Sequence, residues 1–413
     1  MGVSAKSMKV TQDDTPMMQQ YRGIKKEYSD SILFFRMGDF YEMFNEDAKT
    51  ASGILQIALT ARNKKTNPVP MCGIPHHSAN LYITKLLKAG KKVAICEQTE
   101  DPKQAKGLVK REVVRVITPG TILDDNILDP KKDQFIASIY FGKNQIGLAA
   151  LDVSTGVFKV TQIDGENTLS LLADELQKLD PKEIIIPSSI KEETQPWLPA
   201  GEVFVQTAED WTFSFSEAYR NLVEHFKTQS LEGFGCENME AAISSAGALI
   251  HYLRETQKSA MEHITALTPF PINDYMAVDQ CTLASLELVQ SSEGSRKNSL
   301  LDLLDLSHTP MGARRIREWI LKPLIDAEKI RERLNIVADF KDNPTERKHL
   351  RDLLKHIFDL ERLLGRITLS ACNARDLIAL KTSLEVFPDL SEALKSYDSR
   401  PLRAYLENWD NLD

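Results

Sequence analysis

The stretch Ile32-Leu33-Phe34-Phe35-Arg36-Met37-Gly38-Asp39-Phe40-Tyr41-Glu42-Met43-Phe44 decides how the first third of this sequence is read. Ile32 to Phe35 is a short apolar run of the kind a buried strand requires, and Gly38-Asp39 is a turn signal. Phe40 to Phe44 then resumes as a second strand. Side chains alternate across a strand, so Phe40 and Glu42 project to one side and Tyr41 to the other. An aromatic ring and a carboxylate are thereby paired on one face.

Working outward, Asn45 is positioned to cap a helix running through Ala51 and Leu55. Pro68-Val69-Pro70-Met71-Cys72-Gly73-Ile74-Pro75 cannot be helix interior and is expected to be extended or looped. Ser78 opens a helix with Tyr82, Leu86 and Leu87 on one side, ended by Gly90. Val93 to Cys96 and Val113 to Ile117 read as strands. The segment to about residue 125 is therefore a mixed α/β domain, followed by an acidic, turn-rich linker to Pro130. Across about 131–265, Phe135 to Phe141, Gln145 to Val153 and Val157 to Ile163 form a three-strand meander. A helix over 169–179, a strand at 183–186 and helices near 216–227 and 238–258 follow, an order that resembles a ribonuclease-H-like α/β layout. From Pro269 to the end, about 266–413, the pattern is all-α. Ile330, Leu334 and Val337 share a face, as do Leu353, Ile357, Leu360, Leu364 and Ile367, and these stripes read as core-facing. The fold class expected is thus multidomain, α/β followed by α.

The 413 residues are 42% hydrophobic and 27% charged, an ordinary globular composition. No apolar run approaches the roughly 18 to 20 residues that cross a bilayer. Neither a signal peptide core nor a myristoylation pattern opens the sequence, so a cytoplasmic location is expected. Cys72, Cys96, Cys236, Cys281 and Cys372 are too scattered for a zinc cage or disulfide framework and read as reduced thiols in or near the core. His76-His77 lies on a segment expected to be extended, with the two rings on opposite sides, so no metal site is expected. Net charge is −8, yet residues 1–125 carry 19 Lys and Arg against 14 Asp and Glu, while the remainder is strongly acidic. A basic head on an acidic body points to a polyanion met by the head alone.

A carboxylate repels phosphate, so Phe40 beside Glu42 makes little sense on a plain backbone-binding surface. It makes sense aimed at a base. An apolar side chain entering the minor groove unstacks and kinks a base step at a cost of a few kcal/mol, and less where pairing is already faulty. The defect is then read through deformability. The carboxylate adds discrimination: a mispaired base offers a spare hydrogen-bonding position, whereas intact duplex leaves the acid desolvated and unpaired.

The run Phe35 to Phe44 resembles the mismatch-recognition strand of the MutS family, whose Phe-x-Glu motif falls on Phe40 and Glu42. The resemblance continues through Pro70-Met71-Cys72-Gly73-Ile74-Pro75-His76-His77, Val93 to Gln98, and Val114 to Thr121. It resumes at Leu303-Leu304-Asp305, Met311-Gly312-Ala313-Arg314 and Asp359-Leu360-Glu361-Arg362-Leu363-Leu364, covering almost the whole chain in order. It implies a mismatch-binding domain (1–125), a ribonuclease-H-like connector (131–265) and an incomplete helical core or lever domain (266–413). Phe40 would stack on a mispaired base of double-stranded DNA, or at a small loop, and Glu42 would hydrogen-bond it. Met37, Gly38, Arg62, Met71, Gly73, Lys110, Arg111 and Arg115 are the expected backbone contacts, since residues 85–115 hold nine Lys and Arg against four Asp and Glu.

The family's members are implied to be homodimeric, ATP-driven DNA clamps that recruit a MutL-type partner. None of the nineteen glycines here opens a G-x-x-x-x-G-K-[ST] loop; Gly294-Ser295-Arg296-Lys297 lacks the second glycine. The chain is therefore expected to be a non-enzymatic part of a longer protein, without cofactor, with ATP and magnesium belonging to a missing ATPase. Two alternatives stand beside this reading. One is a metal-dependent nuclease built on Asp152 of the central meander strand, for which Asp164 and Glu175 offer no matching strand-end arrangement; the other is a scaffold that docks repair partners.

Overall fold

The computed structural model describes residues 15–62, 68–100, 107–124, 127–193, 197–199, 203–259, 261–397 and 399–410. The chain divides into two compact units. The first is residues up to Pro119 with Glu255–Lys258; the second is Gly120–Arg254 with the chain from Ser259 onward.

The first unit runs α1 (Pro16–Glu27), β1 (Ser31–Met37), β2 (Phe40–Phe44), α2 (Asn45–Leu55), β3 (Thr60–Arg62), β4 (Val69–Pro75), α3 (Ala79–Lys88), β5 (Lys92–Gln98) and β6 (Arg111–Ile117). Its sheet has the order β3-β4-β2-β1-β5-β6, with β1 and β5 parallel and the other neighbours antiparallel. The Pro-rich stretch is thus a paired strand. Ile32, Phe34, Tyr41, Met43, Cys72, Ile74 and Val93 are buried on one face, which α2 and α3 cover. The opposite face carries Leu33, Phe35, Phe44 and Cys96, packed beneath Met17, Met18 and Tyr21 of α1. The α1 helix, begun by Pro16 after Thr15, is not evident from the strand pattern alone. Buried Asp47 ties the layers: it accepts from the Leu33 amide (3.0 Å) and the Tyr21 hydroxyl (3.2 Å) and pairs with Lys25 (2.9 Å). Asn45 does not cap α2 from outside; it is the first helical residue, with Phe44 at the cap. His76-His77 sits on a 3-10 turn rather than an extended segment, the rings meeting edge to face.

The second unit opens with β7 (Phe135–Phe141), β8 (Gln145–Asp152) and β9 (Val157–Asp164), an antiparallel meander whose register pairs Phe135 with Asp152 and Gln145 with Asp164. Then come α4 (Thr168–Leu179), β10 (Glu183–Pro187), β11 (Phe204–Ala208), α5 (Phe215–Phe226), α6 (Glu240–Gln257) and β12 (Thr268–Pro269). The sheet order is β11-β10-β7-β8-β9-β12, and β10 runs parallel to β7. α6 lies flat on β8 because Gly147 has no side chain; a Cβ there would stand 1.9 Å from the Ala241 carbonyl oxygen.

Helices complete the unit: α7 (Gln280–Ser285), α8 (Leu300–Leu304), α9 (Pro310–Leu321), α10 (Ala327–Asp342), α11 (Pro344–Leu354), α12 (Leu360–Thr368), α13 (Ala374–Glu385), α14 (Phe387–Leu394) and α15 (Arg400–Glu407). Two expectations are corrected. The stripe Ile330, Leu334, Val337 is not core: these residues are 36%, 59% and 56% exposed. The packed side of α10 is instead Ile336 and Phe340, against Leu350, Leu390 and Tyr397, roughly a 100° step around the helix from the stripe. Nor do Leu353 to Ile367 form one face. The chain breaks after α11, α12 restarts under a cap from the Asp359 side chain, and Leu364 is exposed. Among the thiols Cys72, Cys96 and Cys236 are buried, but Cys281 is exposed. No helix of the described residues is long and apolar enough to cross a membrane.

The helices are fixed to the segment before β7 by buried arginines. Arg314 makes a two-toothed pair with Asp359 (2.7 and 2.8 Å), reaches Glu361 (2.6 Å) and donates to the Pro130 carbonyl (2.9 Å). Arg362 donates to the carbonyls of Asp129 and Lys132. Removing one member of a buried ion cluster strands the others. Arg314→Ala is expected to cost about 3 to 5 kcal/mol in urea unfolding. Exposed Arg315→Ala is expected to cost less than about 1 kcal/mol.

Candidate nucleic-acid interface

Tyr41 is 7% exposed, under the α2 and α3 layer, with its ring 5.6 Å from Phe34. Its hydroxyl donates to Glu97, and the Arg36 guanidinium lies over the ring. Desolvation and the Glu97 carboxylate raise the phenol's pKa well above its usual value. With Tyr41 anchored, strand alternation turns Phe40 and Glu42 to the other face. Phe44, on that same face, is sealed beneath α1, while four residues back Phe40 is 48% exposed. The open part of the sheet begins where α1 stops covering it.

The turn that delivers Phe40 is held from two sides. Gly38 takes φ +59°, a conformation in which a Cβ is strained, and the Arg36 side chain donates to its carbonyl. The His76 amide donates to the Asp39 carbonyl (2.9 Å), and His76 Nδ1 lies 3.1 Å from the same oxygen. His76 thus braces the turn, a role that spacing alone does not disclose.

Glu42 stands opposite Phe35 on β1 and Gly73 on β4. Its Oε2 is buried without a hydrogen-bond donor among the described residues, and the Arg62 guanidinium stands 3.8 Å away. Desolvation raises the carboxyl pKa, partly offset by Arg62. Gly73 adds no side chain beside Glu42; a Cβ there would lie 3.7 Å from the Glu42 Cγ. A desolvated carboxylate oxygen without a hydrogen-bond donor is suited to a ligand that supplies one.

The other expected contacts divide by position. Met37 is the strand partner of Phe40, and Gly38 is in the turn. Gly73 flanks Glu42, Met71 pairs with Phe44, and Arg62 reaches Glu42, so these five surround the ring and the acid. Lys110 is exposed and paired with Glu112 (2.6 Å). Arg111 and Arg115 are corrections. Arg111 is 7% exposed; it donates to the Arg36 and Val109 carbonyls and to Gln20, and covers the Phe35 ring. Three of its five N–H donors are thus used inside the protein, and Nη2 lies 3.6 Å from the Met37 sulfur. Arg115 pairs with Ile95, whose neighbour on β1 is Phe34, which places it on the sheet face opposite Phe40. Desolvation lowers its pKa to about 10.

A two-metal nuclease site is not assembled in the second unit. Asp152 and Asp164 lie at opposite ends of the β8–β9 pair. Asp152 is consumed by the Gln134 and Ser154 amides and the Ser154 hydroxyl, and Glu175 by Lys178 and Lys322. No group of three potential metal ligands occurs among the described residues.

Residues 15–126 match the family model described as MutS domain I, 134–265 that of MutS domain II, and 281–410 that of MutS domain III. The chain is 45% identical over 408 residues to the DNA mismatch repair protein MutS of Halothermothrix orenii, covering 96% of this chain and 44% of that protein. The proteins of the same name from Desulforapulum autotrophicum and Symbiobacterium thermophilum are 44% identical over 400 residues and 43% over 405. These alignments cover 95% and 97% of the chain, but 45% and 46% of the relatives. The chain thus spans a little under half the length of these curated relatives, and matching three of the family's domains in order, it belongs to the MutS family.

Proposed function

We propose that this chain recognises mismatched or looped duplex DNA in mismatch repair, Phe40 entering the minor groove at a weakened base step and Glu42 hydrogen-bonding the displaced base. The observation that carries this reading is the half-exposed Phe40 ring two residues from a buried carboxylate oxygen that lacks a donor. An exposed ring gains by stacking, typically about 1–3 kcal/mol per base. The acid gains only if the ligand brings a donor, which an intact base pair does not spare. Met37, Gly38, Met71 and Gly73 frame the insertion point, and Arg62 holds the acid's local charge balance.

The same reading divides the chain into a mismatch-binding domain to about residue 125, a connector over 131–265 and a helical core or lever portion from 266. The connector is ribonuclease-H-like, supported by three antiparallel strands with β10 and β11 added in parallel beside β7. For the full-length protein it entails a homodimeric ATP-dependent clamp that recruits a MutL-type partner, working on chromosomal DNA in the cytoplasm. The phosphate-cradling motif this needs does not occur in the 413 residues.

Two outcomes follow. Phe40→Ala is expected to erase a mismatch preference of roughly tenfold, as expected from stacking of this size, while salt-sensitive binding to paired duplex persists; a competition gel shift reads both. Glu42→Gln tests the acid. A carboxyl whose folded pKa is raised costs stability above that pKa, and the cost vanishes below its unfolded value near about 4.3. Glu42→Gln should therefore melt higher than the parent at neutral pH, with the difference closing as pH falls towards about 4.

A further inference from the structure

Among the described residues, a pocket of about 470 Å³ opens on the exposed side of α11, lined by His308, Arg347, Lys348, Arg351, Lys355 and Asp352. Four permanent cations there face a single acid. Arg347, Arg351 and Lys355 recur at every fourth residue, so they rise along one helix face in steps of about 6 Å. Lys348, Arg351 and Lys355 are exposed, whereas Arg347 is half-buried and fixed by donation to the Lys341 carbonyl at 3.0 Å. Lys355 is paired with Asp352 at 2.6 Å, and Arg351 donates to the Leu306 carbonyl at 3.4 Å. The hydrogen bond and charge of Lys355, then Lys348 and His308, hold the Asp352 carboxyl below its usual pKa. Partial burial, then Arg351 and Lys355, depress His308. On the packed side, burial and then Glu346 raise the Tyr397 phenol's pKa, and Arg347 opposes them.

We propose that this face of α11 is a second DNA contact, taking the phosphodiester oxyanions of a duplex backbone. The proposal rests on the DNA-binding reading above and extends it to the helical part of the chain. Shape favours a polymer over a free polyphosphate. The cations are strung along an open helix face about 12 Å long, matched to successive phosphates rather than gathered around one. A contact of this kind adds affinity without sequence or mismatch preference.

The experiment uses the whole chain and labelled duplexes, one fully paired and one with a single mismatch, titrated by fluorescence anisotropy between about 50 and 200 mM salt. The variant is Lys348→Ala/Arg351→Ala, both exposed. Loss of two phosphate contacts should flatten the log–log salt slope by about 1.8. Binding at low salt should weaken roughly tenfold on both duplexes, within the range such contacts supply. The mismatch-to-paired ratio should stay unchanged, and Lys348→Arg/Arg351→Lys should restore the slope. An unchanged slope and affinity in the alanine variant overturns the proposal. So does tripolyphosphate binding that needs Lys348 and Arg351 while the duplex slope does not change, which would assign the pocket to a free polyphosphate. A parent chain that binds both duplexes equally sinks the mismatch reading alone, since the slope comparison still decides this one. A parent chain that binds neither duplex overturns both.

Discussion

The period of two along β2 is the constraint from which the rest of the site follows. Tyr41 and Met43 are buried against the α2 and α3 side, and no rotation of the strand can expose Phe40 less without dragging them out. Burial of two such side chains is worth about 1.5–3 kcal/mol each, so the register is strongly held. Phe40 and Glu42 are outward-facing because their neighbours must face in. The short helix α1 then decides how much of that outward face stays open, sealing Phe44 and leaving Phe40 bare.

An exposed ring and an unsatisfied acid both cost stability, and both sit where the surroundings are most firmly built. The Gly38 turn is clamped by Arg36 and His76, and Asp47 ties α1, β1 and α2 together one layer away. A rigid mount suits the proposed insertion of Phe40, since energy spent unstacking a base pair must not be lost in bending the protein. The second unit solves a different problem with similar means. There, Arg314 and Arg362 use buried charge to fix helices α9 and α12 to the segment ahead of β7.

The meander strands and β2 were legible because apolar alternation and Gly or Pro punctuation are local signals, and they match their expected bounds within a residue or two, whereas the short strands β3, β11 and β12 carry no such signal. The outward pairing of Phe40 and Glu42 followed from the same arithmetic. What escaped was set by partners distant in sequence. Nothing local distinguishes the α10 stripe of Ile330, Leu334 and Val337 from a core stripe; the hairpin packs on Ile336 and Phe340 instead. Arg111 and Arg115 looked like phosphate ligands by charge alone, yet one is folded over Phe35 and the other lies on the far face of the sheet. The bracing role of His76 and the pairing of Arg62 with Glu42 depend on β4 lying beside β2, which is a tertiary fact.

Fluorine NMR of the chain carrying 4-fluorophenylalanine at position 40 reads the central claim at the ring itself. Stacking on a displaced base predicts a large shift and broadening of this resonance with single-mismatch duplex, and only a small change with the paired twin at equal saturation. A resonance that responds identically to both duplexes, or to neither while the chain is bound, would contradict the account.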